Sequence, residues 1–131
     1  MSPSRRRRPQ ALAGIRILVV EDDDDIREIF AYTLGVEGAT VTAVSTAREA
    51  LSFLSSVDII LTDFALPGND GVWLLEQVNK QPRRVPVIAI SSFDESQQPR
   101  LAAAPFAGKL LKPLDFGQVC AEIAVVLGHR R

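Results

Sequence analysis

The stretch "ILVVEDDDD", residues 17–25, sets four apolar residues directly against five carboxylates. An unbroken apolar run that stops at a charged edge reads as a strand covered on both faces, the kind found at the centre of a parallel sheet. The rest of the chain repeats the pattern. Strand-like runs at residues 15–20, 39–44, 57–62, 85–91 and 107–111 alternate with helix-like stretches, which predicts an α/β protein with a doubly wound, five-stranded parallel sheet and five helices.

The helices carry their own signals. Ile26, Ile29, Phe30, Thr33 and Leu34 repeat at helical spacing and predict one apolar face packed on the sheet, with Gly38 as the stop. Thr46 with Glu49 reads as a capping box, Asp115 to Gln118 has the same spacing before the last helix, and Asp70 can cap the third. The last helix is expected to bury Phe116, Val119, Cys120, Ile123 and Leu127, and the third Val72, Leu75 and Val78. Pro99 and Pro105 leave room for only a short fourth helix.

Composition narrows the function classes. A hydrophobic share of 47% in 131 residues fits one globular domain, placed at residues 14–128. No apolar run is long enough for a membrane span, and Arg5 to Arg8 precede no signal-peptide core, so a cytoplasmic protein is expected. The single cysteine, Cys120, excludes an internal disulfide and is read as core, while His129 stands without partners. Six of the fifteen basic residues lie in the tails at residues 1–13 and 129–131. Between residues 14 and 128 nine basic residues face sixteen acidic ones, so the domain is acidic. The arginine run lacks apolar neighbours and is expected to be a disordered basic tail; nucleic-acid binding would be an addition to it.

Ligands of an open parallel sheet bind beyond the carboxyl ends of its strands. There the sequence places Glu21 and Asp22 after the first strand, Asp63 after the third, Ser91 after the fourth and Lys112 after the fifth. Two carboxylates about 5 Å apart repel by roughly 3 kcal/mol at an effective dielectric of 20, so three together require protons or a cation. Magnesium, Mg2+, suits an all-oxygen site and leaves positions for a phosphoryl group. Asp22 and Asp63 are expected to hold it directly, and Glu21 through water. Asp63 is then placed to attack phosphorus, with Lys112 and Ser91 stabilising the charge that spreads over the phosphoryl oxygens. Asp23, Asp24 and Asp25 need no role beyond opening the first helix.

At these positions the chain resembles the receiver domains of two-component response regulators. "ILVVEDD" looks like the family's first strand and acidic pair, "DIILTDFALPGNDG" like its phosphoacceptor segment, "VIAISS" like its hydroxyl strand and "KLLKP" like its lysine-proline end. The resemblance implies a flavodoxin-like receiver fold, Asp63 as phosphoacceptor, the Ala65 carbonyl as a further metal ligand, Ser91 as switch hydroxyl and a cis Lys112-Pro113 peptide. It also implies a histidine kinase or histidine phosphotransfer protein as donor, an unidentified downstream protein as target, and a monomer or weak homodimer. Lys109 departs from the family's usual tyrosine or phenylalanine. Ala65 and Phe93 offer no polar group to an attacking water, which implies a slowly hydrolysed phosphoryl group.

The function expected is that of a single-domain response regulator, modifying itself from a phosphodonor without being an enzyme on other substrates. Two other classes compete. A magnesium-dependent phosphohydrolase would want a second acid two residues after the nucleophile, where Ala65 stands. A pseudo-receiver, an interaction module that is never phosphorylated, would suit Lys109 and the broken fourth helix but not the intact acidic, hydroxyl and lysine set.

Overall fold

A computed structural model describes residues 10–128; the arginine run at residues 5–8 and His129 lie outside the described residues. Five strands, β1 (Arg16–Val20), β2 (Thr40–Val44), β3 (Ile59–Asp63), β4 (Val87–Ser91) and β5 (Gly108–Leu111), form one sheet in the order β2-β1-β3-β4-β5, every pair parallel. The central strands β3 and β4 are buried at every residue, and β1 at all but Arg16. The edge strands β2 and β5 are only partly covered.

Helices cover both faces. On one side α1 (Asp24–Val36) and α6 (Phe116–Gly128) pack Phe30, Leu34, Val119 and Ile123 against Ile17, Val19, Ile59, Leu61 and Ile88. On the other, α2 (Ala47–Ala50, continued by a 3-10 turn over Leu51–Phe53) and α3 (Gly71–Asn79) pack against Leu18, Val20 and Ile60. Alternation along the strands thus sends odd-numbered residues of β1 and β3 to the α1 and α6 side. Thr46, Asp70 and Asp115 cap their helices, and Gly38 ends the α1 connection at φ +101°.

Four expectations need correction. Six helices form where five were expected: the short one confined by Pro99 and Pro105 is present as α5 (Pro99–Ala103), and the addition is a separate turn before it, α4 (Phe93–Ser96), which Pro99 cannot continue. The apolar stripe of α1 does not all face the sheet. Phe30 and Leu34 are buried, but Ile26 and Ile29 are 37% and 51% exposed, because the sheet reaches only the inner part of a broad stripe. In α6, Val126 is buried where Leu127 was expected to be, and Phe116, Cys120 and Leu127 are only partly covered. The folded body begins before residue 14: Leu12 is fully buried, and its N–H donates to the Glu37 carbonyl at 2.9 Å.

Candidate metal and phosphoacceptor site

The register builds the site. Val20 of β1 pairs with Thr62 of β3, so Glu21 and Asp63 are the next residues on adjacent strands. Both continue the odd-numbered rows, and both are buried, Glu21 at 3% and Asp63 at 7% exposure. Asp22 is exposed at the mouth. Carboxylate oxygens of Glu21, Asp22 and Asp63 all lie within 4.8 Å of one another. This is the point between β1 and β3 where the winding of the sheet reverses, the usual ligand position of such folds.

The backbone fixes each contributor. Glu21 N–H donates to the Val44 carbonyl at 3.0 Å, Phe64 N–H to Ile90 at 2.8 Å, and Lys112 N–H to Ser91 at 2.8 Å. Gly71 lets the loop after β3 fold back onto it: a Cβ there would stand 2.8 Å from the Asp63 carbonyl oxygen, and the Gly71 N–H donates to Phe64. Ser91, 3% exposed, is followed at once by the Ser92–Glu95 capping box of α4. The Lys112-Pro113 peptide is cis. Lys112 directs its ammonium at Asp63, 3.1 Å from Oδ1 and 3.4 Å from Oδ2. Ala65 is exposed on the loop two residues beyond Asp63.

Burial and crowding leave a clear electrostatic signature. Burial, helped by the charge of Asp63, pushes Glu21 up to about 7 against a restraining hydrogen bond from Asp23 N–H. Burial also raises Asp63, although the Lys112 charge and a hydrogen bond from Glu21 draw it down. Lys112 is lowered by burial but raised more by Asp63, Glu21 and Glu95. The donors are all hard oxygens, crowded and partly dry, which is the chemistry that fits a divalent ion such as Mg2+.

A pH dependence follows. Folded Glu21 keeps its proton to about pH 7, whereas the unfolded chain releases it near 4.5. Between those values the folded state binds the extra proton, so stability falls as pH rises. The expected loss is about 2 kcal/mol after discounting for solvent at the open mouth. Thermal melts from pH 4.5 to 8 should show this decline in chelator and a shallower one with millimolar Mg2+, which replaces the proton. A flat profile in chelator contradicts the crowded site.

Several contributors were not singled out from the sequence. Arg27 donates to the Glu21 carbonyl; its basic side chain looked like one more surface charge. The Ser92–Glu95 box carries a legible Ser-x-x-Glu signature. Lys109, read only as a departure, donates from Nζ to the Ala102 carbonyl at 3.3 Å and so ties β5 to the end of α5. Arg100 of α5 forms an ion pair with Asp70, the cap of α3. Trp73 packs beneath Arg48, whose guanidinium lies 5.6 Å from the ring centre.

A doubly wound domain ordered 2-1-3-4-5, with an acidic cluster and a facing lysine at its switch point, defines the class of aspartate-centred receiver folds. The chain belongs to the response regulator receiver domain family, whose profile matches residues 17–124. It is 38% identical over 112 residues to an uncharacterized 14.6 kDa protein in the sodA1 3′ region of Leptolyngbya boryana, covering 81% of this chain and 85% of that one. It is 30% identical to the DNA-binding transcriptional regulator NtrC of Salmonella typhimurium, over 86% of this chain but only 25% of that protein. Its fold matches a response regulator receiver domain protein from Clostridium thermocellum with a TM-score of 0.81, at 22% identity, over 88% of this chain and 96% of that one. Phosphorylation and signalling by protein contact are general to the family. Among the described residues no helix is long and apolar enough to cross a membrane.

Proposed function

We propose that this domain is a phosphorylation-controlled switch in which Asp63 accepts a phosphoryl group from a histidine kinase or a histidine phosphotransfer protein. The observation that carries the reading is the convergence of Glu21, Asp22 and Asp63 with the Lys112 ammonium on one of them. An Asp63 oxygen attacks phosphorus in line; the bond to the donor imidazole nitrogen breaks, and that nitrogen keeps the electron pair. Glu21, Asp22 and Asp63, with the Ala65 carbonyl, would hold Mg2+, which when bound would supply positive charge to offset that of the phosphoryl oxygens. Lys112 transfers its hydrogen bond from the carboxylate to a phosphoryl oxygen, and Ser91 donates another.

About −2 of added charge beside Ser91 would draw the end of β4 inward. The element placed to respond is α4, which buries none of its residues. By contrast α5 is anchored: Leu101 is buried with Phe64, Val72 and Ala89, and Lys109 and Arg100 hold its two ends. Phosphorylation therefore re-presents Phe93, 66% exposed, to a protein partner while α5 stays in place. Neither Ala65 nor Phe93 can orient a water, so the acyl phosphate is long-lived. A cytoplasmic setting accompanies this reading.

Incubation with acetyl phosphate and Mg2+ should add one phosphoryl group by intact mass, and chelator should prevent it. An unmodified protein under both conditions favours the pseudo-receiver, in which the anchored α5 is a fixed interaction surface.

The donor protein must approach over the rim of the site. There Ile26 and Ile29 of α1, with Pro113, Leu114 and Phe116, line an apolar groove of about 260 Å³ beside Lys112. Ile29→Asp places a charge on this exposed rim without disturbing the core. It should slow transfer from the phosphohistidine protein about tenfold or more, as for the loss of an interface anchor, and leave acetyl phosphate labelling unchanged. Equal slowing of both donors would place the damage in the site itself.

A further inference from the structure

The loop that carries two of the three clustered acids must keep its shape before any cation arrives, although residues 21–25 are all carboxylates. Arg27, in the first turns of α1, folds back over that loop. One guanidinium nitrogen donates to the Glu21 carbonyl at 2.9 Å and the other to Asp24 Oδ1 at 2.5 Å, and the side chain is only 22% exposed. Asp23 completes the lacing: its N–H donates to Glu21 Oε2 at 3.1 Å, and its own Oδ1 caps Ile26 N–H at 3.0 Å.

We propose that Arg27 is a positioning residue for the metal site, a clamp that holds the backbone of Glu21 and Asp22 in the ligating arrangement. The inference rests on the reading of the acidic cluster as an Mg2+ site. A planar guanidinium can satisfy a carbonyl and a carboxylate at once, which an ammonium on a flexible stem does poorly. Without it the Glu21 carbonyl loses its side-chain donor, and repulsion among the acids is free to open the loop.

Two roles for Arg27 predict opposite signs. If it were only a nearby positive charge it would oppose a dication, and its removal would tighten Mg2+ binding. A clamp predicts weaker binding. The test is calorimetric Mg2+ titration of the full chain at pH 8, where Glu21 is ionised, with melts in chelator as a second readout. Arg27→Gln should weaken Mg2+ by about tenfold, the low end of what losing a partner that orients a metal ligand costs. Arg27→Lys, which keeps the charge, should weaken it by several-fold, and Asp24→Asn, which leaves the Glu21 contact in place, by less than about twofold. Unchanged or tighter binding in Arg27→Gln, or a wild-type affinity in Arg27→Lys, overturns the clamp; if Arg27→Gln does not fold, the Arg27→Lys titration alone decides. A wild type that binds no Mg2+ overturns the metal reading instead, so the two failures are distinct.

Discussion

Asp63→Asn takes up no phosphoryl group: with acetyl phosphate and Mg2+ the wild type gains about 80 Da, one phosphoryl group on a carboxylate oxygen, and the variant keeps its mass. An amide lacks the anionic oxygen that must attack, and no other described acid has both the burial and the lysine contact of Asp63. The same substitution has a second expected result, in stability. Asp63 contributes charge and a hydrogen bond to the elevation of Glu21, although burial contributes most. Removing the Asp63 charge should therefore bring Glu21 down part of the way toward its ordinary value. In chelator the variant should lose less stability than the wild type between pH 4.5 and 8, and Mg2+ should stabilise it less. A variant that still gains the mass of a phosphoryl group places the acceptor on another residue. One that loses labelling but keeps the wild-type pH profile leaves Asp63 reactive but electrically separate from Glu21.

What could be read from the sequence was what short-range chemistry encodes. Glu21, Asp63, Ser91 and Lys112 were legible because each closes or follows an apolar run, and a polar residue there has nowhere to go but the ligand edge. Their meeting depends on strand order and register, Val20 opposite Thr62 and Ser91 opposite Leu111, which are long-range results of packing that no local pattern contains. Ile26 and Ile29 follow the same periodicity as Phe30, yet how far the sheet extends beneath α1 decides which of them it covers. Leu12 shows the converse. A run of arginine and proline set the boundary by composition, and a single apolar residue beyond it found the core. Arg27 was hidden for a further reason: an arginine three residues past an acid is usually a solvated helix pair, and only the folded loop shows its second bond to a backbone carbonyl.

Lys112→Met tests whether the charge facing Asp63 acts in the reaction or only in the fold. The ammonium lies within 3.4 Å of both Asp63 oxygens and is 38% exposed, so as a structural ion pair it contributes little. In the transition state the same charge faces spreading negative charge on phosphoryl oxygens, where loss of one such donor costs about 10²–10³-fold in rate. The folded protein should therefore survive the substitution while phosphoryl uptake at saturating Mg2+ falls by that factor. Two further readouts separate this from general damage. The Lys112 charge holds Asp63 down against burial, so without it the residual reaction should move to higher pH, where the carboxylate is ionised. Mg2+ binding should hold or tighten, since a cation beside a dication has been removed. A rate within about threefold of wild type would remove Lys112 from the chemistry, because an effect that small is no more than a surface ion pair supplies. A joint collapse of Mg2+ affinity and melting temperature would instead make the lysine a brace for the acidic pocket. Slow chemistry with intact metal binding is the combination that only a lysine acting on the phosphoryl group produces.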